Sequence, residues 1–323
     1  MGKGRLLSGM QPTGMLHLGN LEGALANWVR LQDEYEAYFF VADWHALTTL
    51  YNRTELIKEY KREVAIDFLA AGLDPEKCAI FVQSDIKEHA ELHLLLSMVT
   101  PISWLERVPT FKEKQEQLKL EAISYGLMGY PVLQAADILA YKADVVPVGR
   151  DQLPHLELSR EIGRRFNYLY KPTFPDCKAL LTEYAEVPGL DGRKMSKSYD
   201  NAIYLADSPE ETTAKVRAMY TDPTKVHRHD KGHREGCAVY EMLKLYGRAD
   251  LHEDCEQGII GCVDTKLRLA ELLNERLAPI RERRARYAAD PRLVDEILAV
   301  GAEKARKVAR ETLVEVRQVM NLR

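Results

Sequence analysis

Between residues 5 and 166 short apolar runs alternate with helical periodicity, and beyond about residue 199 the runs stop and helices take over. This switch constrains the fold more than any other feature. Strands alternating with helices build a parallel sheet with helices on its faces, because parallel strands need crossover connections. Residues 5–9, 38–42, 79–83 and 145–148 read as strands, and residues 21–35, 55–71 and 153–166 as helices, the second stopped by Gly72 ahead of Asp74-Pro75. Further on, Ser208-Pro209-Glu210-Glu211 supplies an N-cap, a first-turn proline and a capping-box glutamate. Asp290-Pro291 opens a last helix over residues 293–320, with Leu293, Ile297, Val300, Ala305, Val308, Leu313 and Val316 as its apolar stripe. The pattern predicts a doubly wound α/β domain, residues 1–198, followed by a helical domain, residues 199–323, whose last helix can pack back on the sheet.

A chain of 323 residues suits one large domain and a smaller one, and 46% hydrophobic with 29% charged residues is an ordinary globular composition. No stretch approaches the roughly 18 uninterrupted apolar residues of a membrane span; the richest, residues 94–105, is broken by Pro101. Lys3 and Arg5 lead into polar residues and not into a signal-peptide core, and five scattered cysteines fit reduced thiols better than a disulfide framework, so the expected compartment is the cytoplasm. The net charge of −4 conceals an asymmetry: residues 265–323 hold 14 Lys and Arg against 9 Asp and Glu, a net of +5, which leaves −9 for the rest. Arg281, Arg283, Arg284 and Arg286 form the densest basic cluster, either a solvated helix face or a nucleic-acid contact.

Candidate chemistry lies first at the turn between the first strand and the first helix, where α/β sheets bind ligands. The string Ser8-Gly-Met-Gln-Pro-Thr-Gly-Met-Leu-His-Leu-Gly-Asn20 puts Gly9, Gly14 and Gly19 where backbone can approach a ligand and His17 where it can donate to a phosphate. A helix N-terminus near Gly19 and Asn20 adds unpaired N–H groups. The spacing is not Gly-x-Gly-x-x-Gly, which argues against a dehydrogenase. A second, basic segment, Asp191-Gly-Arg-Lys-Met-Ser-Lys-Ser198, offers Lys194 and Lys197 beside a glycine and small hydroxyls. It reads as a solvated loop or as a mobile one that closes on a polyphosphate.

Pro-Thr-Gly-x-Leu-His-Leu-Gly-Asn resembles the His-x-Gly-His nucleotide motif of class I aminoacyl-tRNA synthetases in the form of the tryptophanyl branch, with Asn20 in place of the second His; Lys-Met-Ser-Lys-Ser is identical to the second motif of that class. The resemblance spans nearly the whole chain. It implies a Rossmann-type catalytic domain, residues 1–198, with a short connective region at about residues 75–130 through which the family forms homodimers. A helical anticodon-binding domain, residues 199–323, would follow. The implied reaction joins the carboxylate of L-tryptophan to the α-phosphate of ATP, releases pyrophosphate, and passes the aminoacyl group to a ribose hydroxyl of tRNA(Trp), with Mg2+ accompanying the ATP. Positioning and charge neutralisation suffice for such a step. By resemblance His17, Lys114, Lys194 and Lys197 are catalytic, Lys114 lying with Lys112 in Thr-Phe-Lys-Glu-Lys. Gln11, Pro12, Thr13, Gly19, Asn20, Gly149, Arg150, Asp151, Val187, Met195, Ser196 and Ser198, together with the two loop lysines, would contact the nucleotide.

Gln134 and Asp137 share a helix face in the apolar stretch 130–139, where a carboxylate is costly without a partner. The resemblance implies that Asp137 accepts the indole N–H, with Leu7, Gly9, His45, Tyr130, Gln134, Val146 and Gln152 completing the amino-acid pocket. Gln134 stands where tryptophan enzymes often have Met, and Tyr-x-x-x-Gln-x-x-Asp also occurs in archaeal-type tyrosyl-tRNA synthetases. Leu7 is apolar where those enzymes place a tyrosine hydroxyl, which favours an indole over a phenol. A tyrosine enzyme is one alternative. A synthetase-like tRNA-binding protein without catalysis is the other, and it would be expected to lose His17, Lys194 or Asp137, all present here. The largest natural side chain needs no editing site, and the chain length leaves no room for one.

Cys237, Cys255 and Cys262 fall in the helical half. Some bacterial tryptophanyl enzymes hold an iron–sulfur cluster on four cysteines ending Cys-x6-Cys-x2-Cys; Thr265 stands at the fourth position here, which implies a degenerate, empty site. His227, His229 and His233 with Arg228, Lys231 and Arg234 have no recognised ligand spacing and read as a polar loop near tRNA.

Overall fold

The structure, a computed structural model, describes residues 3–108, 124–181, 186–221 and 224–322. Five parallel strands, β1 Arg5–Met10, β2 Glu36–Val41, β3 Cys78–Val82, β4 Val145–Val148 and β5 Lys178–Leu181, form one sheet in the order β3-β2-β1-β4-β5. The order reverses between β1 and β4, and that switch point opens a crevice beyond the strands' carboxyl ends. Strand side chains alternate between two cores, as a period of two demands. Leu6, Phe39, Val41 and Ile80 pack on one face, while Leu7, Tyr38, Phe40, Phe81 and Val146 pack on the other. Gly9 is required at its register opposite Phe40, because a Cβ there would lie 2.8 Å from the Phe40 ring. The expected strands are all present; β5, short and half-exposed with a polar first residue, carries too weak an apolar run to be read from sequence.

The first helix, α1, starts at Leu18, ahead of the expected residue 21, and runs in three pieces: Leu18–Asn20, a π-helical turn Leu21–Leu25, and Ala26–Leu31. It is followed by α2 Asp43–Leu50, which the sequence reading did not anticipate, and α3 Thr54–Ala71, ended as expected by Gly72 at φ +118°. Next come α4 Glu88–Ser97, α5 Ile102–Glu106, α6 Tyr125–Ala140 and α7 Leu153–Leu169. Trp28 of α1 and Phe68 of α3 join the first core; Leu92, Val132 and Ile162 of α4, α6 and α7 join the second.

The later helices are α8 Pro209–Arg217, α9 Ala238–Leu245, α10 Cys262–Ala289 and α11 Pro291–Val319. The capping box before α8 forms as expected: Ser208 N–H donates to Glu211 Oε2 at 2.8 Å, and Glu211 N–H donates to Ser208 Oγ at 3.1 Å. Helix α11 lies against edge strand β3, where a Cβ on Gly301 would collide with the Ile80 carbonyl. It thereby protects an edge that would otherwise be open to pairing. Its apolar stripe differs from the expected one. Val294, Ala302, Ala305, Val308, Ala309, Leu313 and Val316 face inward, whereas Leu293 and Val300 face solvent and Ile297 is half-buried. Close approach to the sheet demands small residues on the contact face, so choosing the large apolar residues misplaces part of the stripe.

The arginine cluster is neither a solvated face nor a free nucleic-acid contact, because most of it braces α10 to the rest of the molecule. Arg281 donates to the Asp207 carbonyl at 2.8 Å and to Thr212 Oγ1 at 2.7 Å, and Arg283 donates to the Ala70 carbonyl at 2.6 Å. Arg284 binds Glu63 and lies 2.9 Å from Asp67, whose other oxygen accepts the Leu16 N–H at 3.3 Å. Only Arg286 is exposed, stacked on Tyr287 at 4.9 Å.

Candidate active site

Two cavities meet at the carboxyl ends of β1 and β4. The larger, about 580 Å³, is lined by Leu7, Gly9, His45, Tyr130, Gln134, Asp137, Val146 and Gln152, so every residue expected in the amino-acid pocket converges there. Gly149 and Asp151 lie on the same wall. The second, about 420 Å³, is lined by Thr13, His17, Val187, Lys194, Met195, Ser196, Lys197 and Ser198, and both share Met10, Gln11, Gly19 and Asn20. Pro12 is buried beside them and Arg150 is exposed, and neither lines a cavity. Lys112 and Lys114 lie outside the described residues.

In the smaller cavity the signature turn is built around His17. Asn20, the residue that replaces the second histidine, caps α1: its Oδ1 accepts the His17 N–H at 3.1 Å, while its own N–H donates to the His17 carbonyl at 2.8 Å. Gly19 is needed because a Cβ would sit 2.9 Å from the His17 ring. Burial, and then the neighbouring Lys197 charge, push the His17 imidazole down to about 4, so it is neutral at pH 7. A neutral imidazole keeps one N–H to donate. Its Nδ1 is buried and unpartnered among the described residues, an orphaned polar atom of the kind a ligand satisfies.

The Lys-Met-Ser-Lys-Ser segment is docked on this turn. Met195 inserts into the first core and its N–H donates to the Val187 carbonyl at 2.8 Å. Lys197 Nζ donates to the Gly14 carbonyl at 2.8 Å, and burial pushes its ammonium down to about 8. Lys194 points outward, exposed, with Glu186 at 3.6 Å. The latch is Asn201, a buried residue the sequence reading missed: it accepts the Ser196 N–H at 2.8 Å and donates to Asp191 Oδ1 at 2.7 Å and to the Lys194 carbonyl at 3.2 Å.

In the larger cavity Asp137 is only 1% exposed. His45 Nε2 lies 2.7 Å from its Oδ2, and the Gln83 amide donates to both carboxylate oxygens at 2.9 Å. His89 Nδ1 stands 3.2 Å from Oδ1, and its Nε2 meets the Tyr141 hydroxyl at 2.8 Å. Burial lowers the His89 pKa and holds the ring neutral. The Tyr130 hydroxyl meets His155 Nε2 at 2.7 Å, and both residues line the cavity. Gln83, His89 and His155 were not foreseen. The available signal was Gln83 itself, a polar residue directly after the wholly apolar strand β3.

Cys237, Cys255, Cys262 and Thr265 do draw together, around a void of only about 10 Å³. The donors do not suit a four-thiolate cluster. Thr265 turns its hydroxyl to the Gly261 carbonyl at 3.3 Å, and the buried Lys225 ammonium lies in the wall, held by the Arg228, Asp230 and Cys255 carbonyls. Among the described residues no group of three or more His, Cys, Asp or Glu is placed to hold a metal ion, and no helix is long and apolar enough to cross a membrane.

A parallel sheet in this order, with a histidine-bearing turn and a docked basic loop at its switch point, defines a class I synthetase, and residues 2–278 match the family model described as tRNA synthetases class I (W and Y). The chain belongs to that family. The tryptophan–tRNA ligase of Thermotoga maritima is 51% identical, over 98% of this chain and 99% of that relative, and the tryptophan–tRNA ligase of Aquifex aeolicus is 44% identical, over 98% and 100%. The crystal structure of tryptophanyl-tRNA synthetase from Campylobacter jejuni, complexed with ADP and tryptophan, superposes with a TM-score of 0.89 at 36% identity, over 98% of this chain and 99% of that one.

Proposed function

We infer that this chain is a tryptophan–tRNA ligase: it joins L-tryptophan to ATP as tryptophanyl-adenylate, releases pyrophosphate, and transfers the aminoacyl group to the 3′ end of tRNA(Trp). The observation that carries this reading is the junction of the two cavities at Gln11, Gly19 and Asn20, with a buried carboxylate in one and an ammonium beside a neutral imidazole in the other. Asp137 accepts the indole N–H against the apolar Leu7 wall, which places the substrate carboxylate toward β1's end. ATP, with Mg2+ as part of the substrate, takes the second cavity, where His17 donates to a phosphate and Lys197, with Lys194 at the mouth, neutralises the departing pyrophosphate. Gly149, Asp151 and Gln152 face the nucleoside side. No protein group is made or broken covalently; the residues orient and neutralise.

The pocket also bears on the tyrosine alternative. His45 and Gln83 already spend their donors on Asp137, and the first strand presents the apolar Leu7 to the cavity, which favours an indole over a phenol. For tRNA, the second half of the chain is the anticodon-reading part, with the exposed loop of His227, Arg228, His229 and Lys231 a candidate contact. The working form is a cytoplasmic homodimer: exposed Leu47, Tyr51 and Tyr125 line an apolar recess of about 320 Å³ between α2 and α6 that a second copy would cover. Charging of a tRNA(Trp) transcript tests the function. Tryptophan attachment supports it, and failure to charge with tryptophan present contradicts it. Sedimentation equilibrium tests the dimer, for which the expected mass is twice the 36.9 kDa of one chain and a monomer is the contrary result.

A further inference from the structure

The Asp137 carboxylate is aimed by a residue that never reaches the cavity. Gln83 follows β3 directly and is fully buried, 0% exposed, behind the pocket wall. Its Nε2 lies 2.9 Å from both Asp137 oxygens, and its Oε1 accepts the backbone N–H groups of Trp44 at 3.2 Å and His45 at 3.3 Å. One amide therefore ties together the two groups that face the substrate ring, Asp137 on α6 and His45 on α2. An ionised carboxylate offers about four acceptor positions. The Gln83 amide donates to both oxygens, His45 Nε2 takes a further position on Oδ2, and His89 Nδ1, though 3.2 Å from Oδ1, makes no hydrogen bond there, so the carboxylate, which lines the cavity, keeps acceptor capacity on Oδ1. Without the Gln83 amide the carboxylate keeps its His45 contact on Oδ2 but loses the donor that fixes Oδ1.

We propose that Gln83 is a positioning residue for amino-acid selection: it fixes the Asp137 carboxylate so that one lone pair addresses the ring N–H of the bound side chain. This rests on the reading of Asp137 as the indole acceptor. A residue acting this way affects substrates with a ring N–H and leaves an isosteric ring without one largely untouched. A residue that only stabilises the fold affects both alike.

The test compares tryptophan with 3-(benzothiophen-3-yl)alanine, which has sulfur in place of the ring N–H, by kcat/KM in ATP–pyrophosphate exchange. Wild-type enzyme should prefer tryptophan by a factor on the order of 100, and in Gln83→Met that preference should fall at least about tenfold with the KM for ATP held within about threefold. Gln83→Asn keeps an uncharged amide but, one methylene shorter, withdraws the donor from both Asp137 oxygens, and it should lose the preference likewise should Gln83→Met fail to fold. A preference unchanged in a folded variant overturns the role of Gln83 and leaves Asp137 as the acceptor. No preference in the wild-type enzyme overturns the Asp137 reading, and the role of Gln83 with it.

Discussion

Replacing Lys197 by Met isolates the charge that the site keeps for the leaving pyrophosphate. The ammonium is largely buried, fixed to the Gly14 carbonyl at 2.8 Å, and shares its cavity with the unpartnered His17 Nδ1. A unit charge about 4 Å from a phosphate oxygen at an effective dielectric constant of about 20 is worth roughly 4 kcal/mol. A preorganised donor of this kind typically contributes on the order of 100- to 1,000-fold in kcat. Lys197→Met should therefore slow tryptophan-dependent ATP–pyrophosphate exchange by that factor, while the KM for tryptophan stays within about threefold because Lys197 lines the other cavity. Two titrations accompany the rate. With its ammonium near 8, the free wild-type enzyme should lose kcat/KM for ATP as the pH rises through that value, a limb absent from the variant. His17, held down to about 4 by burial and then by Lys197, should titrate at higher pH in the variant, measured by NMR. A rate loss under about tenfold, or a KM for tryptophan that rises in step with the fall in kcat, would refute the assignment of Lys197 to the phosphates.

Other parts of the account are open to equally direct checks. Asp137→Asn turns a donor toward His45 and Gln83 in place of one acceptor, so kcat/KM for tryptophan should fall on the order of 10- to 100-fold at constant KM for ATP; an unchanged value contradicts its role. Arg284→Met leaves the fully buried Asp67 without its ion-pair partner and should cost about 3–5 kcal/mol in urea denaturation, with a loss below about 1 kcal/mol as the contrary result. Because burial already pushes the Asp67 carboxyl up to about 6, removal of the arginine should raise it further. Gly301→Ala drives a methyl group into the Ile80 carbonyl and should destabilise by about 2 kcal/mol or more as α11 lifts from β3. A variant as stable as wild type would mean that α11 sits less tightly than described.

The features legible in the sequence are those that act over a few residues. The alternation of runs gave the sheet, since β2 and β3 are buried on both faces and so nearly wholly apolar. The two motif segments carry their glycines, histidine and lysines in contiguous strings, and the fold brings both to one cavity. The parts that escaped depend on distant partners. Gln83 and Asn201 are ordinary polar residues until the fold brings Asp137 and Asp191 against them. Arg281, Arg283 and Arg284 look like surface charge in a one-dimensional reading, yet apart from Asn274 on α10 itself their acceptors lie on α3, α8 and the turn before α8, more than 60 residues earlier. Helix α2 was missed because it is only 8 residues long and its burial comes from α3 and α6 as neighbours.

The central claim is that this crevice activates tryptophan. ATP–pyrophosphate exchange measured with each of the twenty amino acids in turn tests it most directly. Tryptophan should support exchange far above every other amino acid, tyrosine included, and Lys197→Met should abolish most of it. Exchange driven equally well by tyrosine, or absent with tryptophan, would contradict the account.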